Sequence, residues 1–157
     1  MSEFIGEYVC RLDAKGRFML PVGLRKQMSP EARDSFVLNR GFEQHLTLYP
    51  MDEWQKITAQ LKKLNLFVAK NRKFYRQFHN GATVLALDTT GRLLLPKPLM
   101  NFAGIGKDVT LFAYANRIEV WANDVYENVM KDTEDFASLA EEVMGSLPQQ
   151  GEEGNVS

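Results

Sequence analysis

Leu12-Asp13-Ala14-Lys15-Gly16-Arg17 returns 75 positions later as Leu87-Asp88-Thr89-Thr90-Gly91-Arg92, and its surroundings return with it. At that offset Gly6 meets Gly81, Val9 meets Val84, Leu20 meets Leu95, Pro21 meets Pro96 and Leu24 meets Leu99. Three residues are then lost from the second copy. Thr47-Leu48-Tyr49 with Asp52 and Trp54 answers Glu119-Val120-Trp121 with Asp124 and Tyr126. An internal repeat constrains a fold more than any local propensity does. Each copy spans about 45–50 residues, which is too little chain to bury a secure core alone. The duplication therefore predicts two copies sharing one core.

Each copy reads as strand, turn, strand and a short helix opened by proline. Tyr8–Leu12 enters the first turn as a strand and Phe18–Leu20 leaves as one. Asp13 can accept hydrogen bonds from the backbone N–H groups that follow it, and Gly16 can take the positive φ of a tight reversal. Asp88 and Gly91 have the same two tasks in the second copy. Pro21 and Pro96 suit the first position of a helix, and Gly104 suits the close of the second. A hairpin follows in each copy, "SFVLNRGFEQHLTLYP" and "DVTLFAYANRIEVWA", supported by the alternation of Leu46-Thr47-Leu48 and Ile118-Glu119-Val120.

Helical sequence ends each copy. Asp52 and Gln55 are spaced as a capping pair, and Trp54, Ile57, Leu61 and Leu64 follow at helical spacing. A second stretch carries Phe67, Phe74, Tyr75 and Phe78 on one side and Lys70, Arg72, Lys73 and Arg76 largely on the other. Aromatics at that spacing are expected to be core. After the second copy, Asn123 can cap one longer helix with Val125, Val129, Phe136, Ala140, Val143 and Leu147 along a stripe. The final "PQQGEEGNVS" has nothing to bury and reads as disordered.

Composition narrows the function classes. The chain is 45% hydrophobic and 25% charged, as soluble globular proteins are. No apolar run reaches the length of a membrane span, and "MSEFIGEY" lacks the regions of a signal peptide. Cys10 is the lone cysteine, expected as a small buried apolar residue, so a cytoplasmic location follows. His45 and His79 lie in different copies with no Cys/His spacing, so no metal is expected. Ser29 and Ser35 have no histidine base nearby, and no Gly-rich phosphate loop opens a helix. The expectation is a non-enzyme with no cofactor, no small-molecule substrate and no membrane partner.

The net charge of −1 hides an asymmetry. Trp54 to Leu87 holds seven cations and no acid, whereas Asn123 to the end holds nine acids and only Lys131. Such separation can reflect solvated helix faces, one region meeting an anion, or attraction between neighbouring chains. The turns carry a sharper signal. A tight reversal needs Asp and Gly but makes no demand for a cation, yet Arg17 and Arg92 both follow the glycine. They are either incidental to two hairpins or kept for use. A pseudo-symmetric pairing would put both guanidinium groups on one face, where each can grip a phosphate or reach guanine in the major groove. Lys15 adds a cation to the first turn; Thr89 and Thr90 stand in its place in the second.

From about Gly6 to Gly145 the chain resembles the MraZ family, bacterial regulators of the division and cell-wall gene cluster built from two SpoVT-AbrB domains. The resemblance is carried by "LDAKGR", "LDTTGR", "LTLYPMDEW", "FYRQFHNGA", "AGIGKDVTLFA" and "NRIEVW". It implies an α+β fold: a duplicated, AbrB-like swapped-hairpin β-barrel shared by the two copies, with helices after each copy. The corresponding organisation is a first domain over 7–54, a basic helical connector over 55–80, a second domain over 83–126, a C-terminal helix over 127–147 and a tail over 148–157. It further implies a ring homo-oligomer, an octamer or dodecamer, associated with the nucleoid. Its paired D-x-x-x-R turns would contact repeated promoter boxes in double-stranded DNA. Carried over to this sequence, Lys15, Arg17 and Arg92 are the DNA contacts, with Asp13, Gly16, Asp88 and Gly91 shaping the turns. The competing readings are an AbrB-type antitoxin and a ring-forming interaction protein with no DNA role.

Overall fold

A strand with one apolar face must find partners, and outside its own hairpin each strand finds them in the other copy. The computed structural model describes residues 3–32, 34–131 and 135–148. The first copy contributes β1 (Phe4–Arg11), β2 (Arg17–Met19), α1 (Val22–Arg25), β3 (Ser35–Arg40), β4 (Leu46–Pro50), α2 (Met51–Leu61) and α3 (Ala69–His79). The second contributes β5 (Thr83–Ala86), β6 (Arg92–Leu94), α4 (Lys97–Ala103), β7 (Asp108–Ala115), β8 (Arg117–Ala122) and α5 (Asn123–Lys131), followed by α6 (Phe136–Gly145). This is an α+β fold with antiparallel sheets. Six strands run in the order β1-β7-β8-β4-β3-β5, and β2 pairs with β6 in a separate ribbon.

Among the described residues, only the β3–β4 and β7–β8 hairpins pair strands of the same copy. β1 pairs with β7, β5 with β3, β4 with β8 and β2 with β6, all antiparallel and all between copies. The registers reveal a pseudo-two-fold. Arg17 faces Leu94, Phe18 faces Leu93 and Met19 faces Arg92, so each residue meets the counterpart of its reflection about the central pair. Thr47 and Glu119 occupy the equivalent centre of the β4–β8 pairing. The hydrogen bonds from Leu20 N to Gly91 O (3.1 Å) and from Leu95 N to Gly16 O (3.0 Å) obey the same symmetry.

One core results. Phe18, Phe36, Leu38 and Leu48 from the first copy pack with Leu93, Leu111, Ile118 and Val120 from the second, and Leu24 and Leu99 close it from the two short helices. Cys10 packs against this cluster half-buried rather than fully inside it. Burial raises its thiol pKa, as expected where the thiolate is poorly solvated. Among the described residues, those up to Tyr126 form one compact unit and those from Glu127 to Pro148 a second. No helix among the described residues is long and apolar enough to cross a membrane.

Several local expectations need correction. Pro21 and Pro96 sit one position earlier than expected, as the N-caps of α1 and α4. The Asp52–Gln55 capping pair does not form. Pro50 takes the N-cap of α2, so Asp52 lies inside the first turn and accepts from Glu53 N at 3.0 Å. Gly104 closes α4 as expected, with φ 67°.

The aromatic side of α3 is not core. No residue of α3 is buried, Phe67 before it is 95% exposed, and Phe74 is 42% exposed. Strands and short helices already fill the shared core, leaving α3 to pack at its end, where Phe78 stacks on Trp54 at 5.7 Å. Asn39 Nδ2 also donates to the carbonyl of Phe78. The single helix expected from Asn123 to Leu147 is instead α5 and α6, and Asp135 ahead of α6 takes a left-handed φ of 64°. Phe136, Leu139 and Val143 of α6 are exposed. The disordered stretch expected over 148–157 lies, apart from Pro148, outside the described residues.

Candidate nucleic-acid interface

Each D-x-x-x-R turn is built by its aspartate. Asp13 Oδ1 accepts from Lys15 N at 3.0 Å and Arg17 N at 2.9 Å, while Gly16 N donates to Asp13 O at 3.0 Å. Asp88 repeats this with Thr90 N and Arg92 N, both at 2.9 Å, and adds the Thr90 hydroxyl at 2.8 Å. Gly16 and Gly91 carry φ of 88° and 83°, the left-handed region that costs any other residue about 1–2 kcal/mol.

The arginine is part of the same device. Arg17 Nε donates to Asp13 Oδ2 at 2.7 Å and Arg92 Nε to Asp88 Oδ2 at 3.1 Å. The two oxygens of one carboxylate thus divide the work: one orders the backbone and the other holds the guanidinium by a single N–H of its fork. The turns also meet. Arg92 Nη1 lies 3.5 Å from Asp13 Oδ2, so both guanidinium groups converge on Asp13. Pre-ordering two long side chains removes rotamer entropy that a ligand would otherwise have to overcome.

Both carboxyls titrate low. The backbone N–H of Arg92 holds Asp88 down to about 2 and that of Arg17 lowers Asp13, with the guanidinium groups adding to each shift. A folded pKa below the unfolded value means stabilisation present above the unfolded pKa of 3.8 and lost as pH falls toward about 2. Asp88→Asn is expected to flatten the fall in melting temperature between about pH 4 and pH 2, read by circular dichroism. An unchanged acid limb would separate the turn from acid stability.

The expected site residues therefore come together: Arg17 and Arg92 converge, Asp13 and Asp88 hold them, Gly16 and Gly91 permit the turns, and Lys15 is exposed beside them. Sequence reasoning missed Arg25. An ideal Cβ on Gly91 would stand 3.1 Å from Arg25 Nη1, whereas one on Gly16 would meet Met100 Sδ at 3.4 Å. Arg25 and Met100 are equivalent positions in the repeat. The second turn lacks a lysine of its own and has a cation from the first copy at its glycine. Matching the copies could not reveal this, because the two residues differ. Gly16→Ala and Gly91→Ala are each expected to destabilise by about 1–2 kcal/mol from φ alone, because the partly exposed tip of Arg25 can give way to a Cβ on Gly91. Chemical denaturation would check the size of both losses.

His45 and His79 do not meet. His45 is buried, stacks on Trp121 at 4.4 Å and lies 3.4 Å from Glu119, while His79 stacks on Tyr75 at 4.2 Å. Among the described residues no cluster of His, Cys, Asp and Glu could hold a metal.

Fold and site together define a duplicated α+β protein whose two copies present joined arginine-bearing turns on one ribbon. Comparison with known proteins gives the family. The model described as "MraZ protein, putative antitoxin-like" matches twice, over residues 4–77 and 78–145. Proteins named transcriptional regulator MraZ are 47% identical in Christiangramia forsetii, across 93% of this chain and 96% of the relative, and 46% identical in Flavobacterium psychrophilum, across 94% and 95%. One from Clostridium tetani is 36% identical across 89% and 96%. The chain belongs to the MraZ family.

Proposed function

We propose that this chain is a sequence-specific DNA-binding transcriptional regulator of the division and cell-wall gene cluster, acting in the cytoplasm at the nucleoid. The observation that carries the DNA contact is the convergence of Arg17 and Arg92, each already held by its own aspartate. Lys15 beside the first turn and Arg25 at the second supply further cations. The naming of the relatives as transcriptional regulators supports the regulatory role. Residues 7–54 and 83–126 act as two SpoVT-AbrB domains forming a swapped-hairpin barrel, a reading supported by strand pairing between copies. Residues 55–80 act as the basic connector, and 127–147 follow as the C-terminal helical segment.

A few cations per chain make a weak anchor, so useful affinity requires several chains on repeated promoter boxes. A ring homo-oligomer, octamer or dodecamer, supplies that repetition. The apolar side chains that one chain leaves open, Phe67 before α3 and Phe136 and Val143 on α6, support association. The test is titration of the chain's own upstream duplex, and of a scrambled duplex, at two salt concentrations. Binding should favour the upstream duplex and weaken steeply with salt. Equal affinity for both duplexes would remove sequence specificity, and no binding to either would remove the DNA role.

A further inference from the structure

Beyond the turns, the outward face of the β2–β6 ribbon has a composition that phosphate binding alone does not require. Strand alternation sends Phe18 and Leu93 inward, where they are 1% and 0% exposed. It sends Arg17, Met19, Arg92 and Leu94 the other way. Met19 and Leu94 are 53% and 51% exposed. The register sets Arg17 beside Leu94 and Met19 beside Arg92, so each outer rung pairs one guanidinium with one flexible apolar side chain.

We infer that Met19 and Leu94 are specificity-determining residues that read thymine methyl groups while Arg17 and Arg92 engage neighbouring base edges. The major groove admits a two-stranded β-ribbon, and the C5-methyl of thymine is the apolar feature it displays. The two outer rungs are two residues apart, roughly 7 Å along the strands, close to two base-pair steps of about 3.4 Å each. Each rung therefore meets its own step of the groove. The pseudo-two-fold gives both rungs the same composition in opposite order. Guanidinium groups alone would leave apolar base features unread; an apolar neighbour on each rung distinguishes thymine from cytosine at no cost in buried polar groups.

This inference rests on the DNA-binding reading, and its test separates the two. A random duplex library selected on the full-length protein supplies one high-affinity probe, which is then remade with deoxyuridine in place of thymine. Removing a methyl that packs against an apolar side chain should weaken wild-type binding roughly threefold to fourfold per contact. The Met19→Ser/Leu94→Ser double variant should bind the thymine and deoxyuridine probes equally, while retaining salt-dependent affinity and its wild-type size in solution. Equal wild-type affinity for the two probes would overturn the inference and leave the DNA role standing. So would a double variant that still discriminates them. Dissociation of the double variant into smaller species would overturn it differently, by making the ribbon face a contact between copies of the chain. Failure of the library to enrich any sequence would count against the DNA-binding reading and this inference together.

Discussion

On the proposed DNA-binding role, Arg17→Ala combined with Arg92→Ala is expected to abolish measurable binding to the upstream duplex while leaving fold and solution size unchanged. Each lost contact is worth about 1–3 kcal/mol, and each bound subunit loses two. The change goes beyond deletion. Asp13 and Asp88 remain without the guanidinium groups paired with them, so the first turn keeps only Lys15 against Asp13 and the second is left with the negative charge of Asp88. The stability cost is small by comparison, because both pairs are partly exposed and such substitutions typically stay within about 0.5 kcal/mol. The single variants should be close in effect. The second turn has no lysine of its own, but Arg25 stands at its glycine. The measurement is a duplex titration at two salt concentrations with sizing on the same samples. Wild-type binding should weaken steeply with salt, and each single variant should bind more weakly than wild type at both salt concentrations. Unchanged binding by a properly assembled double variant would return the arginines to a structural role.

Residues 1–80 expressed alone should not give a cooperatively folding monomer. Cutting there removes β7 from β1, β6 from β2, β5 from β3 and β8 from β4. Every first-copy strand loses a partner, and among the described residues β1 and β2 have no other. The core is divided as well: Phe18, Leu38 and Leu48 would face the space vacated by Leu93, Leu111 and Ile118. Losing even one such side chain to alanine costs about 2–5 kcal/mol, a large part of a typical domain's entire stability. The expected product is aggregated, or a dimer in which a second half-chain replaces the missing copy through the same registers. Denaturation followed by circular dichroism, with analytical ultracentrifugation, distinguishes these. A concentration-independent monomer with a sharp transition would contradict the shared core.

The local chemistry of the turns was legible because it is contained within five residues. Asp13 reaches the N–H groups of Lys15 and Arg17 without help from elsewhere, and Gly16 supplies the φ that the reversal needs. Repetition of that pattern at Asp88–Arg92 made the arginine visible as something beyond turn chemistry. The hairpins were legible from alternation, which depends only on the two-residue period of a strand.

Other features depended on which surfaces were already taken. The stretch containing Phe74 and Phe78 has the period of a buried helix face, but periodicity reports a helix and its apolar side, not whether one chain has room to cover it. The shared core is filled by strands and short helices, so Phe74 stays exposed. The placement of Arg25 at the other copy's turn, and of Arg92 Nη1 against Asp13, likewise has no trace in local sequence. Both follow from the pseudo-two-fold, which brings side chains together across some 66 to 79 positions of chain. The sequence by itself determined that there are two copies, where each turns, and which cation each turn carries. Only the tertiary structure decided that the turns meet, because strand pairing between copies arises from burying two half-cores together and not from any preference of the residues that turn.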